Sequence, residues 1–315
     1  MVRVIISGAS GQIGTHLISA IQNSNLTLAS LGRQKLAQGN WHTNVEEFMI
    51  NDYEINEVFD AINQFKPDVF VNLASISSVA ICEQNPQLSR LVNLDFPLSI
   101  LEFIRRGNIG DCMFVQASSS EMYAGTSHQS ISELSQLNPK STYGKHKAEV
   151  HQNLSLYRNF YKVRTSGVIL FNNESKLRDE RFASTRIITD LVKVRNGIIS
   201  NFRMGSDYVL RDWNHPFDTS QALKSIIMAG GPVDYVVGSG VLHTVGDLIA
   251  EACNLLNMNL SSINVVRDPG LVRSFENHGL RANSAKIRRD LNWSPKYTFK
   301  EIIKELVLNE LERWN

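Results

Sequence analysis

The first fourteen residues limit the fold more than any other stretch. Val2-Arg3-Val4-Ile5-Ile6 is an apolar, largely β-branched run, and Ser7-Gly8-Ala9-Ser10-Gly11-Gln12-Ile13-Gly14 follows it directly. In such a turn the first glycine makes the tight bend and the second lets backbone approach a pyrophosphate. The third lets helix and strand pack closely, and the phosphates meet the helix N-terminus. The spacing is looser at its start than the Gly-x-Gly-x-x-Gly of most dehydrogenases, so its place after a strand and before a helix carries the weight. Gly8, Ser10, Gly11, Gln12, Ile13 and Gly14 are therefore candidates for holding a dinucleotide.

The rhythm that follows agrees. Val2–Ile6, Leu26–Leu31, Val45–Ile50, Val69–Leu73, Cys112–Ala117 and Val163–Phe171 read as strands, and Ile13–Ile21, Ile55–Phe65, Leu88–Arg106 and Thr142–Tyr161 as helices between them. Strand–helix alternation predicts a Rossmann-type, doubly wound parallel α/β sheet joined by right-handed crossovers. Strands apolar on both sides, such as Val69-Phe70-Val71-Asn72-Leu73, suit a sheet covered on both faces. After residue 171 the pattern changes. A polar stretch, Asn172–Ala183, reads as a functional loop. Helices follow at Ser184–Arg195, Thr219–Ala229, Val245–Leu256, Ala285–Leu291 and Phe299–Trp314, with short strands near Tyr235–Val237 and Ile263–Val266. The expected organisation is a dinucleotide-binding domain over 1–171 and a smaller, mixed α/β, mainly substrate-binding region over 172–315, segments of which can return to the first. The cleft between them is the natural substrate site.

Composition narrows the function. A formal net charge of +1 over 315 residues leaves no electrostatic footprint for nucleic acid or an anionic membrane. No segment approaches the roughly 20 apolar residues that span a bilayer, and the chain enters a strand at once, so no secretory leader is expected. Cys82, Cys112 and Cys253 lie far apart in apolar stretches and read as buried free thiols, which fits a reducing cytoplasm. The eight histidines show no ligand spacing, and no metal is expected.

Leu31-Gly32-Arg33-Gln34-Lys35 ends the second strand, where an NAD enzyme usually carries an acidic residue for the ribose 2′-hydroxyl. Arg33 and Lys35 suit a 2′-phosphate instead, so NADP is expected over NAD. Asp52 is placed to accept from the adenine amino group, and Leu73-Ala74-Ser75 to pass under the nicotinamide ribose. Farther on, Tyr143 and Lys147 share one helical face at i,i+4 spacing. A tyrosine of pKa about 10 is a poor base, and a neighbouring ammonium favours the phenolate. Ala117-Ser118-Ser119-Ser120-Glu121-Met122-Tyr123 ends the preceding strand. The Ser119 hydroxyl is placed to bond the reacting oxygen and Tyr143. Glu121 is costly if buried and idle and makes sense as a general base. Ser119, Glu121, Tyr143 and Lys147 are the catalytic candidates.

These residues resemble the extended short-chain dehydrogenase/reductase family and, within it, the GDP-mannose 4,6-dehydratases, almost end to end. Their catalytic Ser-Thr-Ser-Glu-Leu-Tyr-Gly is similar to the stretch around Ser119 and Glu121. Ile169-Leu170-Phe171-Asn172-Asn173-Glu174-Ser175 is similar to their Ile-Leu-Phe-Asn-His-Glu-Ser. Arg211-Asp212-Trp213-Asn214-His215 is similar to their Arg-Asp-Trp-Gly-His, and Asn292-Trp293-Ser294-Pro295 to their Gly-Trp-x-Pro. The chain departs from the pattern at Ser119 (threonine in the family), Asn173 (histidine), Lys176 (proline) and Ala124 (glycine). The resemblance implies a nucleotide-sugar 4,6-dehydratase that converts a GDP-hexose to its 4-keto-6-deoxy product with bound NADP. It adds Asn173 and Arg178 as cofactor contacts and Asn172, Lys193, Arg211, Arg273 and Glu276 as substrate contacts. A homodimer through Leu88–Arg106 and Thr142–Tyr161 is implied; the shorter 33–52 segment leaves the family's tetramer open. Two other readings stand beside it: an NADPH-dependent 4-reductase or epimerase on the same scaffold, and a non-catalytic dinucleotide-binding module.

Overall fold

The computed structural model describes residues 1–314 apart from 23, 37–44, 108, 128–129 and 273–278. The first half contains β1 (Val2–Ser7), α1 (Gln12–Ile21), β2 (Leu26–Gly32), β3 (Val45–Met49), α2 (Ile55–Phe65), β4 (Val69–Asn72), α3 (Val79–Gln84), α4 (Pro86–Arg90) and α5 (Phe96–Arg105). It continues with β5 (Met113–Ser119), β6 (Ser130–Ile131), α6 (Thr142–Phe160) and β7 (Thr165–Leu170). The second half contains β8 (Asn172–Asn173), α7 (Ala183–Arg195), β9 (Asn201–Met204), β10 (Leu210–Asn214), α8 (Pro216–Ala229), β11 (Tyr235–Val237) and β12 (Leu242–Thr244). The chain ends with α9 (Val245–Leu255), β13 (Asn264–Arg267), β14 (Arg281–Ala282), α10 (Ala285–Leu291) and α11 (Phe299–Trp314).

Seven strands form one parallel sheet in the order β11-β7-β5-β4-β1-β2-β3. The strand order reverses between β1 and β4, and a crevice opens at their C-terminal ends. Successive side chains point to opposite faces, so each strand feeds two cores. Val4, Ile6, Val69 and Val71 pack with Leu17, Ile18 and Ile21 of α1 and Leu223, Ile226 and Ile227 of α8. Ile5, Phe70 and Phe114 pack on the other side with Val58, Ile62, Ile100, Ile104 and Leu154 of α2, α5 and α6. A third core joins α7, α9 and α11 around Phe202 and Trp213. Within 172–315, β11 and α8 are the segments that return to the layers of the large sheet.

Several local expectations change. The Leu88–Arg106 helix begins at Pro86 and contains a π-helical turn, Leu91–Asp95, while Val79–Gln84 is an additional short helix. Arg211-Asp212-Trp213 lies in a strand. β8, β10 and β12 form a small sheet, too short to register as alternating patterns. Asp212 binds that sheet to its neighbours: its buried carboxylate accepts from Ser239 N and Oγ, Gly240 N and Ala282 N at 2.6–2.9 Å. No helix among the described residues is long and apolar enough to cross a membrane.

Candidate active site

The C-terminal ends of β1, β4, β5 and β7 open into one cleft of about 420 Å³, closed on its far side by α7, the 203–213 segment and the start of α9. Gly8, Gly11, Gln12, Ile13 and Gly14 line one end. The cradle needs its glycines. A Cβ at Gly8, whose φ is +71°, would lie 2.7 Å from Ala74 N, and one at Gly14 would lie 2.6 Å from Ala9 Cα. Gly11 caps α1 without a side-chain bond, and the first turn of α1 has no acidic residue. Free amides at a helix start suit phosphate, so the cradle fits the pyrophosphate of a dinucleotide. Gln12 spans the cleft, donating to Asn173 O at 3.0 Å and accepting from Ser175 Oγ at 3.1 Å.

Ser119, Glu121, Tyr143 and Lys147 all line this cleft. Local structure explains why. Ser119 ends β5 and caps the 3₁₀ turn Ser120–Tyr123, its Oγ accepting from Glu121 N at 3.2 Å. Ser141 caps α6, and Glu83 of α3 accepts from Thr142 N and Oγ1 at 2.6 and 2.8 Å, so the residue before Tyr143 is fixed from two sides. Gly144 lets the two turns touch: a Cβ there would lie 2.6 Å from Glu121 O. Lys147 is 2 % exposed, donates to Ala117 O at 3.0 Å, and holds its ammonium 5.7 Å from the Tyr143 ring centre.

Burial dominates the electrostatics. It pushes the Tyr143 phenol up to about 12, against hydrogen bonds with Ser119 and Ser75 that pull it down. It pushes the Lys147 ammonium down to about 8, with the Cys82 thiol opposing. Tyr143 is thus a neutral phenol at neutral pH, and the Lys147 ammonium gives up its proton more readily than a free lysine. The i,i+4 spacing reveals the ammonium's help to the phenolate but not the larger cost of burying both groups.

The other candidates separate. Leu73, Ser75, Asn172, Asn173, Arg178 and Arg211 line the cleft. Arg178 lies 3.4 Å from the buried Glu174 carboxylate and stacks on Phe182. Ser10, Ala74, Arg33, Asp52 and Lys193 do not belong to its lining. Ala74 packs under Gly8. Arg33 and Asp52 pair at 3.2 Å, beyond the cradle and open to solvent. Lys193 stands over the Trp314 ring, its ammonium 4.2 Å from the centre; the helical turn that carries it packs on α11. Arg273 and Glu276 lie outside the described residues. His215, which follows the Arg211-Asp212-Trp213 strand, caps α8 by accepting from Phe217 N at 3.0 Å and bonds Glu305. No group of three or more His, Cys, Asp or Glu that could hold a metal occurs among the described residues.

A family model for GDP-mannose 4,6 dehydratase matches residues 5–306. The chain belongs to the GDP-mannose 4,6-dehydratase family. The "GDP-mannose 4,6 dehydratase 1" of Arabidopsis thaliana is 27 % identical over 327 residues, covering 98 % of this chain and 89 % of that one. The fold is similar to Thermus thermophilus UDP-glucose 4-epimerase in complex with NAD (TM-score 0.84, 22 % identity, 98 % and 99 % coverage). It is also similar to RMD of Pseudomonas aeruginosa complexed with NADPH (0.81, 18 %, 99 % and 100 %). Sequence reasoning passed over residues of this family member that the cleft reveals. Arg186 and Ile187 of α7 line it beside Phe182, and Met204, Val209 and Leu248 form an apolar end. Arg186 and Ile187 carried a signal only in their place at the start of the helix that follows the polar loop; Met204, Val209 and Leu248 carried none, since they are far apart in sequence.

Proposed function

We propose that this protein is a nucleotide-sugar 4,6-dehydratase acting on a GDP-hexose of the GDP-mannose type, with NADP as a tightly held cofactor. The observation that carries this reading is the convergence of Glu121 with Ser119, Tyr143 and Lys147 in one cleft that begins at a phosphate cradle. A simple reductase needs the hydroxyl, phenol and ammonium but has no use for the carboxylate.

A nicotinamide dinucleotide held at Gly8, Gly11 and Gly14 would supply the hydride chemistry that links C4 and C6 of the hexose. Tyr143 accepts the proton of the 4-hydroxyl, and Ser119 orients that oxygen. Lys147 holds the cofactor ribose and supports the phenolate. The 4-ketone acidifies C5, Glu121 removes the C5 proton, and the C6 hydroxyl departs as water. Two protons are taken, from O4 and C5, and two are given, to the departing hydroxyl and back to C5, so the side chains end as they began. Arg178, Arg211 and Arg273 are the cations for substrate or cofactor phosphates, and Asn172, Asn173 and Glu276 complete the contacts.

Arg33, a half-exposed guanidinium beyond the cradle, supports NADP over NAD. Exposed Leu88, Leu91, Leu156 and Phe160 on the helical layer support a homodimer. The three cysteines, free and buried, suit a reducing cytoplasm.

Purified protein incubated with GDP-mannose and no added cofactor should form a 4-keto product that absorbs in alkali, and denaturation should release NADP. Stoichiometric NADPH consumption instead would favour a reductase. Glu121→Gln should slow turnover by about 10²–10⁴-fold, the range of general acid–base catalysis, while still showing transient cofactor reduction. Full turnover by that variant would sink the role given to the carboxylate.

A further inference from the structure

Pro86–Arg105 runs as one helical rod interrupted by the π-helical turn Leu91–Asp95, in which Phe96 N bonds Leu91 O. Pro97 supplies a reason, because it has no amide to offer the Asn93 carbonyl, its α-helical partner. Such turns recur at functional sites. This one carries Asn93, which is 1 % exposed, against the segment after β4. Asn93 Oδ1 accepts from Ser75 Oγ at 2.8 Å and from Ile76 N at 3.1 Å, and its Nδ2 donates to Ile76 O at 3.1 Å and Ser89 Oγ at 3.3 Å. The backbone partners on both sides fix the amide, with its oxygen facing Ser75. Ser75 lines the same cleft wall as Tyr143 and Ser119, and its hydroxyl offsets part of the rise that burial imposes on the phenol.

We propose that Ser75, set by Asn93, is a positioning hydroxyl for Tyr143 that donates to Asn93 Oδ1 while the phenol is protonated and turns to donate to the oxygen when it is ionised. A serine hydroxyl carries one proton and two lone pairs, so it can accept from a phenol and donate to a phenolate, but it serves one acceptor at a time. A hydrogen bond to a charged oxygen is about twice as strong as a neutral one, which decides the direction of the turn. Asn93 Oδ1 keeps the Ile76 amide throughout, so no buried acceptor is abandoned. The inference rests on Tyr143 being the proton acceptor of the reaction above.

The test is the pH dependence of kcat/KM for GDP-mannose in the holoenzyme, with NADPH affinity measured in parallel by fluorescence. Ser75→Ala should move the acid limb upward by about one pH unit, so that the rate at neutral pH falls roughly tenfold and recovers in alkali. Ser75→Thr should restore the wild-type limb, and Asn93→Ala should give a smaller shift of the same sign. Whatever NADPH affinity Ser75→Ala loses should be smaller than the loss of rate at neutral pH and independent of pH, as expected when the main effect is on the phenol. A uniform loss at every pH, an unmoved limb, or NADPH affinity falling in step with rate would overturn the proposal. If Ser75→Ala does not fold, Ser75→Cys, similar in volume and a weaker donor, must show the shift. Tyr143→Phe separates the two levels: if it turns over normally the parent reading fails, whereas if it is dead and the Ser75→Ala limb stays put, this proposal alone fails.

Discussion

Lys147 shows what a single buried charge costs. Its ammonium donates to Ala117 O, and burial lowers it from 10.5 to about 8. A depressed lysine weakens the folded state wherever the unfolded chain would still be protonated. The full penalty, on the order of 3 kcal/mol, applies below about pH 8 and is relieved as pH rises toward 10.5. Lys147→Met should therefore be inactive yet melt roughly 4–5 °C higher at pH 7, with the difference from wild type shrinking between pH 8 and 10.5. Calorimetry across that window checks it, and a variant that melts lower at pH 7 would contradict the burial argument. Tyr143 acts in another window: its raised phenol loses stability for the fold only as pH climbs from 10 toward 12. The sequence named Tyr143 and Lys147 through their spacing. It could not weigh their burial, which neighbours from β4, β5 and α3 create.

Elements matter through their ends. Catalytic geometry is set where β5 gives way to its 3₁₀ turn and where α6 begins, and Gly144 is the point of contact between the two. Gly144→Ala adds one methyl group 2.6 Å from the Glu121 carbonyl. Helix propensity alone would make that change favourable by about 1 kcal/mol, but backbone on the far side cannot yield as a flexible side chain would. The expected result is a protein that still binds NADPH, because the cradle is untouched, and loses at least about tenfold in kcat, because Glu121 and Tyr143 are forced apart. Unchanged kcat would show that the turns have slack. Strands of the large sheet were legible from β-branched runs. The two- and three-residue strands β8, β12 and β14 were not, because so few residues show no periodicity and their pairing is long-range. The π-helical turn was equally hidden, since Pro97 marks a missing bond but not how the helix accommodates it.

At the scale of the whole molecule, two faces remain to be accounted for. The cleft is one. The other is the helical layer, where Phe160 is 77 % exposed and Leu88, Leu91, Leu156 and Tyr161 are each more than 40 % exposed. An apolar surface of this kind suits a second copy of the chain. Phe160→Asp should convert the proposed homodimer to a monomer in sedimentation velocity, at the same melting behaviour of the individual subunit; a wild-type protein that sediments as a monomer would remove the premise.

The sequence by itself determined the class of fold and the family, because a strand–glycine turn–helix and an i,i+4 pair encode local geometry in adjacent letters. It also singled out Ser119, Glu121, Tyr143 and Lys147. Only the tertiary structure decided which of the more distant candidates share the cleft, placing Arg211 and Asn172 on its wall, Lys193 over Trp314, and Arg33 with Asp52 outside. Spacing along the chain sets direction within one element. Which elements face one another, and so which charges lose their water, depends on packing between segments more than a hundred residues apart.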